Sequence, residues 1–403
     1  MNPTSAEKRN VLLLASTQAL FQTASVMVMM LSGLAGLQLA SDKSLATLPI
    51  AMMMVAAAAI MIPASMLMQR FGRKAGFLLG TTLGCLAGLT AAYAIWLHSF
   101  WLFVFANMLV GGYQGFAQYY RFAAADVASA DFKSRAIAWV IAGGVVAALA
   151  GPNIARLTQD IGPLPFMVSY FALSALSVIA LLVVTRICIP SPVVVAEVHS
   201  SARPLSEIMR QPVFITALIG SSVGYAVMVM VMTATPLAMQ ICGQSLGASA
   251  TVIQWHVLGM FLPSFFTGNL IRRYGVLAIM GAGIALLAGH VTIALTGIEF
   301  LHFLSGLILL GVGWNFLFIG GTTLLTEAYR PSERAKTQAA HDFLMFGSVS
   351  LASFSAGGLL NAWGWQSVNL TALPFLGAAL IAVVGLGALR WRTRLTSPGN
   401  VSA

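Results

Sequence analysis

Charge is scarce in this chain: 8% of its 403 residues are Asp, Glu, Lys or Arg, where a soluble domain carries roughly a quarter. Set against 59% hydrophobic residues, that scarcity excludes a water-soluble globule and reads as an integral membrane protein. Acid is the rarer sign, with 11 Asp and Glu against 21 Lys and Arg for a formal net charge of +10. Cysteine is nearly missing, and Cys85, Cys188 and Cys242 are too few and too scattered for a disulfide framework or a zinc site. A phosphate-binding GxxxxGK[ST] loop is lacking, which excludes movement powered by ATP within this chain. Nor is there the nucleophile with its base, or the open three-ligand metal site with a carboxylate, that an intramembrane enzyme needs. Asp342 lies beside His341, but adjacent helical residues point about 100° apart, so the pair does not by itself supply catalysis.

What fills the chain is apolar sequence. Twelve segments are long enough to cross a hydrocarbon core, which takes about 20 helical residues. They fall near 11–39, 45–69, 75–98, 100–122, 134–155, 163–188, 212–240, 247–271, 276–297, 300–326, 335–360 and 366–390. No small-residue cleavage site follows a short apolar core, so the first segment is expected to stay as a spanning helix. Of the Lys and Arg residues, all but Lys43 and Arg156 fall on the side that would hold both termini. This bias places both termini in the cytoplasm and sets the basic loops against anionic lipid headgroups, so the positive charge calls for no nucleic acid.

The longest polar interruption, at 189–211, is rich in proline and reads as a cytoplasmic linker with a short surface helix near 204–210. It divides an N-terminal six-helix bundle, 1–188, from a C-terminal one, 212–403. The halves echo each other: "RFG" at 70–72 answers "RYG" at 273–275, "GYQ" at 112–114 answers "GWN" at 313–315, and "SRA" at 134–136 answers "ERA" at 333–335. A parallel six-helix repeat about an axis along the membrane normal builds a central cavity between its halves, where secondary carriers bind substrate. The loop "SMLMQRFGRKAG" at 65–76 resembles the signature loop of the major facilitator superfamily, with Arg70, Gly72, Arg73 and Lys74 matching and Ser65 and Gln69 replacing its glycine and acid. Arg273 and Gly275 hold the corresponding places in the second half. The resemblance implies an all-α, twelve-helix membrane fold of two pseudo-symmetric six-helix bundles, with these loops acting in gating. In "AGGVVAALAGP" at 142–152 the glycines resemble the superfamily's glycine-proline motif, and close helix packing suffices to explain them.

Ionisable residues inside a membrane are functional candidates by default. Asp342 in segment eleven reads either as a structural partner or as a protonatable coupling residue. Among 20 methionines, most are flexible apolar filling. Three pairs stand one helical turn apart, where side chains share a face: Met228 with Met232, His256 with Met260, and His341 with Met345. Thioether and imidazole ligands without a carboxylate favour Cu(I) over Mg, Ca or Mn. The first two pairs resemble the motif pair of the CcoA-like copper importers, a family that also includes riboflavin transporters. The wider similarity is carried by 118–138 and 311–338.

That resemblance implies import of copper, as cargo rather than cofactor, across a bacterial inner membrane for assembly of cbb3-type cytochrome c oxidase. Met228, Met232, His256 and Met260 would form the metal path. His341, Met345 and Asp342 would help from the opposite wall, and Cys242 is the one cysteine near enough for exchange with copper chaperones or other thiol donors. The expected protein is a monomer among membrane lipids. The alternative keeps the fold and changes the cargo to a small organic molecule such as riboflavin, held in a cavity lined by Tyr113, Gln114, Tyr119, Tyr120, Trp314 and Asn315.

Overall fold

The computed structural model describes residues 4–129, 132–189 and 203–396. The first half comprises α1 (Ser5–Leu39), α2 (Leu48–Phe71), α3 (Arg73–Trp96), α4 (Phe100–Ala117), α5 (Tyr120–Val127), α6 (Lys133–Thr158) and α7 (Met167–Thr185). After a short α8 (Leu205–Met209), the second half comprises α9 (Pro212–Ile241), α10 (Leu246–Phe261), α11 (Ser264–Tyr274), α12 (Val276–Thr296), α13 (Phe300–Leu325), α14 (Arg334–Leu370) and α15 (Ala372–Thr396). Helices are what a hydrocarbon core permits, because each satisfies its own backbone hydrogen bonds. We call the end of the molecule that holds Ser5 and Thr396 the terminal end and the opposite one the far end.

Among the described residues ten continuous helical stretches are long and apolar enough to span. The other two crossings are hidden by local geometry. Segment 247–271 is broken at Pro263 into α10 and α11, since a proline in a helix interior removes one ladder bond. Segments eleven and twelve run on from Lys336 to Arg392 as one stretch, and Gly364, at φ 76°, marks the turn between them. The twelve-crossing major facilitator fold expected from the sequence is therefore present.

The repeat is visible in the backbone. Gly72 separates α2 from α3 at φ 84°, ψ 157°, and Gly275 separates α11 from α12 at φ 86°, ψ 152°. A side chain disfavours such positive φ, so glycine is required at both places. Around them the basic residues stay within their own halves. Arg73 pairs with Asp126 of α5 at 2.5 Å, and Lys74 donates to the Thr185 carbonyl at 2.7 Å. Arg70 and Arg273 each lie over the neighbouring ring of Phe71 or Tyr274, 5.2 Å from its centroid. The acid that Gln69 fails to provide is thus supplied to Arg73 by Asp126.

Small residues set the helix spacing. Gly143 and Gly151 bring α6 onto Ala19 and Val26 of α1, Gly111 seats α4 on the Met53 carbonyl of α2, and Gly283 brings α12 onto Gly313 of α13. Between the halves the contacts gather toward the far end. Gly33 meets Leu237, Gly357 meets Thr47, and Asn153 donates to Gln254 at 3.2 Å. Residues 26–36 of α1 and 227–239 of α9 are buried without interruption there. Nearer the terminal end Asp342 of α14 keeps 36% of its side-chain surface exposed. The direct contacts between the halves thus gather toward the far end.

Of the linker, 190–202 lies outside the described residues. The expected surface helix is α8, and just before it Arg203 grips the fully buried carboxylate of Glu333 at 2.7 Å. Glu333 also accepts from the backbone N–H groups of Arg203 and Arg330, each at 2.9 Å. Arg203 holds its carboxyl well below the usual carboxylate range, so the linker's end is clamped to the start of α14.

Candidate substrate site

Four rings from three helices meet in the second half. Tyr225 of α9 has its centroid 5.6 Å from each of Trp314 and Phe318 of α13 and Phe346 of α14. Trp314 stacks on Phe318 at 4.9 Å and 9°, and Phe261 closes the edge at 6.1 Å from Trp314. The repeat reappears in the first half, where Tyr113 of α4 packs edge-on to Phe21 of α1 at 4.9 Å. Each half therefore presents an aromatic pair from equivalent helices. Edge-to-face and offset rings of this kind are each worth about 0.5–1.5 kcal/mol beyond burial.

Charge enters from the first half. Arg121 of α5 is within electrostatic reach of Asp342, Tyr225 and Tyr119, and its guanidinium lies 4.9 Å from the Phe122 ring centroid. Its Nε is buried without a hydrogen-bond partner, as are the Trp314 Nε1, the Gln114 Oε1 and the Tyr113 and Tyr120 hydroxyls. Tyr119 donates to the Met61 carbonyl at 3.1 Å. The Tyr113 and Tyr120 rings pack inside the first half, on Gly84 and Phe77 of α3, whereas the cationic fork of Arg121 comes within electrostatic reach of Tyr225 in the ring cluster of the second half. This suits a planar organic molecule with carbonyl and hydroxyl groups.

Asn315 takes a different part. Its amide donates to the Met260 carbonyl and to Ser264 Oγ, both at 2.7 Å, and accepts from Thr267 at 2.7 Å. It staples the break between α10 and α11 and has no group left for a cargo. A separate cavity of about 330 Å3 lies at the far end between the halves, lined by Gln38, Gln159, Asp160, Gln240 and Gln244 among others. Phe166 is its one ring, so the aromatic cluster is the better place to stack a flat solute.

The copper ligands expected from spacing are less well gathered. His256 is fully buried and Met228, Met232 and Met260 nearly so. The His256 Nδ1 donates to the Leu307 carbonyl of α13 at 2.8 Å, and α10 packs chiefly on α13 and α6, only marginally on α9. The imidazole is thus turned to α13, while Met228 and Met232 belong to α9. Its Nε2 is buried without a partner, the one ligand-capable nitrogen of the set. No cluster of three or more His, Cys, Asp or Glu able to hold a metal occurs among the described residues. Cys242 caps α9 with a half-buried thiol that burial pushes up, away from the thiolate that binds metal.

His341 and Asp342 behave differently from the sequence expectation. Their Cβ vectors diverge, yet the side chains curl together and the His341 Nδ1 meets Asp342 Oδ1 at 3.0 Å. The His341 Nε2 meets Ser221 Oγ of α9 at 2.7 Å. Both ring nitrogens are occupied, so His341 has no lone pair for a metal it would share with the buried Met345. Sequence reasoning missed Arg121, Tyr225, Phe318, Phe346 and Ser221. Arg121 stands within 118–138, but nothing in that stretch sets it apart from the other basic residues of its side. Only knowledge of which helices face the cavity would have separated the rings from ordinary lipid-facing aromatics.

Comparison with known proteins agrees with this architecture. The model of the Major Facilitator Superfamily matches residues 12–243 and 221–402. The chain is 42% identical over 389 residues to the riboflavin transporter RfnT of Brucella anthropi, covering 95% of this chain and 97% of that one. It is 29% identical over 364 residues to the uncharacterized MFS-type transporter YdeG of Bacillus subtilis, covering 85% and 82%. Among solved structures, a D-xylose-proton symporter superposes with a TM-score of 0.76 at 14% identity, over 94% of this chain and 97% of that one.

Proposed function

The chain belongs to the Major Facilitator Superfamily, and from that premise we propose that this transporter carries a planar aromatic solute, riboflavin foremost, by alternating access. The observation that carries the reading is the meeting of the Tyr225–Trp314–Phe318–Phe346 cluster with Arg121 of the other half. A tricyclic flavin ring offers a flat apolar face to Tyr225 and Trp314, and its pyrimidine-dione edge offers carbonyl acceptors to the Arg121 fork. Its polyol tail would bond to Gln114, Tyr119 and Asp342. The similarity to a riboflavin transporter over almost the whole chain supports the same cargo.

Copper, and with it oxidase assembly and thiol chaperones, gains no such support. The metal reading needs Met228, Met232, His256 and Met260 around one ion, and His256 is held to α13 instead. In the proposed cycle, residues 1–188 and 212–403 are two bodies that rock about the central site, with 189–211 spanning them. The bias of Lys and Arg puts the terminal end in the cytoplasm of a bacterium. Uptake of labelled riboflavin and labelled copper by cells expressing the chain tests the reading. Riboflavin accumulated above control cells with copper unmoved is expected; copper accumulated with riboflavin unmoved would reverse it.

A further inference from the structure

We propose that His341 carries the proton that couples transport, and that Asp342 passes its charge state to Arg121 of the other half. The proposal rests on the carrier reading above but not on the identity of the cargo. His341 is fully buried in α14 between two oxygen partners. Ser221 Oγ lies 2.7 Å from its Nε2 and Asp342 Oδ1 lies 3.0 Å from its Nδ1. A second acceptor for the serine proton stands ready, the Ala217 carbonyl at 2.7 Å.

These three groups accommodate the ring in either protonation state. With His341 neutral, Nδ1–H donates to Asp342 and Ser221 O–H donates to Nε2. When Nε2 gains a proton, it donates to Ser221 Oγ, and the serine hydroxyl turns its own proton to the Ala217 carbonyl. One proton is added, every donor keeps an acceptor, and no heavy atom moves. A histidine that served only packing would need one of these partners, not an arrangement satisfied both ways.

The consequence falls on Asp342, which is partly exposed and within electrostatic reach of Arg121. While His341 is neutral, the Asp342 carboxylate carries an uncompensated charge that attracts Arg121 of the other half and draws the halves together at the terminal end. Protonation of His341 neutralises the pair and releases that attraction, favouring separation of the halves at the terminal end. The sign suits import driven by acid at the far end: protonation there promotes opening at the terminal end, and loss of the proton promotes return.

The other groups around α14 leave this assignment clear. On α9 they are Ser221 and Tyr225; between α4 and α5, Tyr119; and on α5, Arg121. Arg70 is exposed at the end of α2 and Glu207 is exposed on α8. At the start of α14, Glu333 is paired with Arg203, and Lys336 bonds to the Arg203 carbonyl. Toward its far end, Asn369 is bonded to His290 of α12. On α15, Arg390 is paired with Glu327 and Arg392 lies toward the terminal end.

The test uses the full-length protein with its three cysteines replaced and spin labels at Phe71 and Tyr274, exposed residues at the terminal ends of the two halves. Distances are measured across about pH 5 to 8, the range in which histidine exchanges its proton. Wild type should lengthen as pH falls, and His341→Gln should hold one distribution throughout. Ser221→Ala leaves the contact of His341 with Asp342 in place and should keep a response to pH. A wild-type distance that ignores pH, or a His341→Gln response equal to wild type, overturns the proposal. In liposomes loaded with a pH dye, riboflavin added with acid outside should move protons in wild type and at least about tenfold fewer in His341→Gln. Riboflavin that fails to bind wild type while the label distance still follows pH would sink the flavin reading and leave the proton site standing.

Discussion

Replacing Tyr225 separates a stacking platform from mere packing. Its ring touches Trp314, Phe318 and Phe346, all at 5.6 Å, and Arg121 approaches from the other half. Tyr225→Leu keeps an apolar side chain but removes the π face. Stacking of a heteroaromatic ring on an aromatic side chain is worth about 1–3 kcal/mol. At 1.4 kcal/mol per tenfold, riboflavin affinity should fall about 5- to 150-fold. Tyr225→Phe keeps the ring and loses only a hydroxyl, so its affinity should stay within about threefold of wild type. Flavin fluorescence quenching on purified protein gives both constants. Thermal unfolding in the same detergent should show the Leu variant less stable by at least about 1 kcal/mol, because leucine cannot reproduce edge-to-face ring packing. If the Leu and Phe variants bind riboflavin alike, the ring is packing and the stacking argument fails.

Three further outcomes follow from the geometry. Arg121→Lys keeps the charge but loses the planar fork, and riboflavin uptake should fall at least about tenfold at matched expression; unchanged uptake would remove Arg121 from recognition. Gly72→Ala and Gly275→Ala each force a side chain into positive φ, costing about 1–2 kcal/mol, and the two should lower thermal stability by similar amounts because they hold equivalent places. Glu333 has a carboxyl lowered in the folded state by Arg203, so its contribution is present above the ordinary carboxylate pKa of 4.5 and is lost as pH falls through the folded value. Glu333→Gln should therefore be less stable than wild type at neutral pH. The gap in unfolding temperature should shrink in acid below that range.

How much of this could be read from the sequence depends on whether the signal was local. The spans, the halves and the two-glycine repeat were legible, because apolar length and a recurring offset survive without knowledge of neighbours. The break at Pro263 and the turn at Gly364 sit inside or beside apolar runs, and each hides a crossing from a count based on continuous helix. Charge was legible only in aggregate. Arg121 follows the rule that basic residues gather at the terminal end, yet the fold also brings it within electrostatic reach of Tyr225 and Asp342 of the other half. His341 and Asp342 were separated by helix geometry applied at Cβ, and side chains longer than that closed the gap.

The methionine pairs bring the same distinction to a test. A four-residue spacing puts two side chains on one face of one helix, but a metal site needs faces of different helices to converge, and convergence is decided by packing that the spacing does not contain. Here α10 turns His256 to α13 and packs only marginally on α9, which carries Met228 and Met232. Met228→Leu with Met232→Leu changes ligand chemistry while nearly conserving volume, so stability should fall by less than about 1.5 kcal/mol for each change. Both methionines lie in the stretch of α9 that is buried toward the far end, one and two helical turns beyond Tyr225, and leucine keeps an apolar side chain of similar volume at each. Riboflavin uptake by the double variant should therefore remain within about twofold of wild type, measured at matched protein level. A collapse of riboflavin uptake with stability intact would show that the thioethers take part in transport, and would return these two residues from packing to the cargo's path.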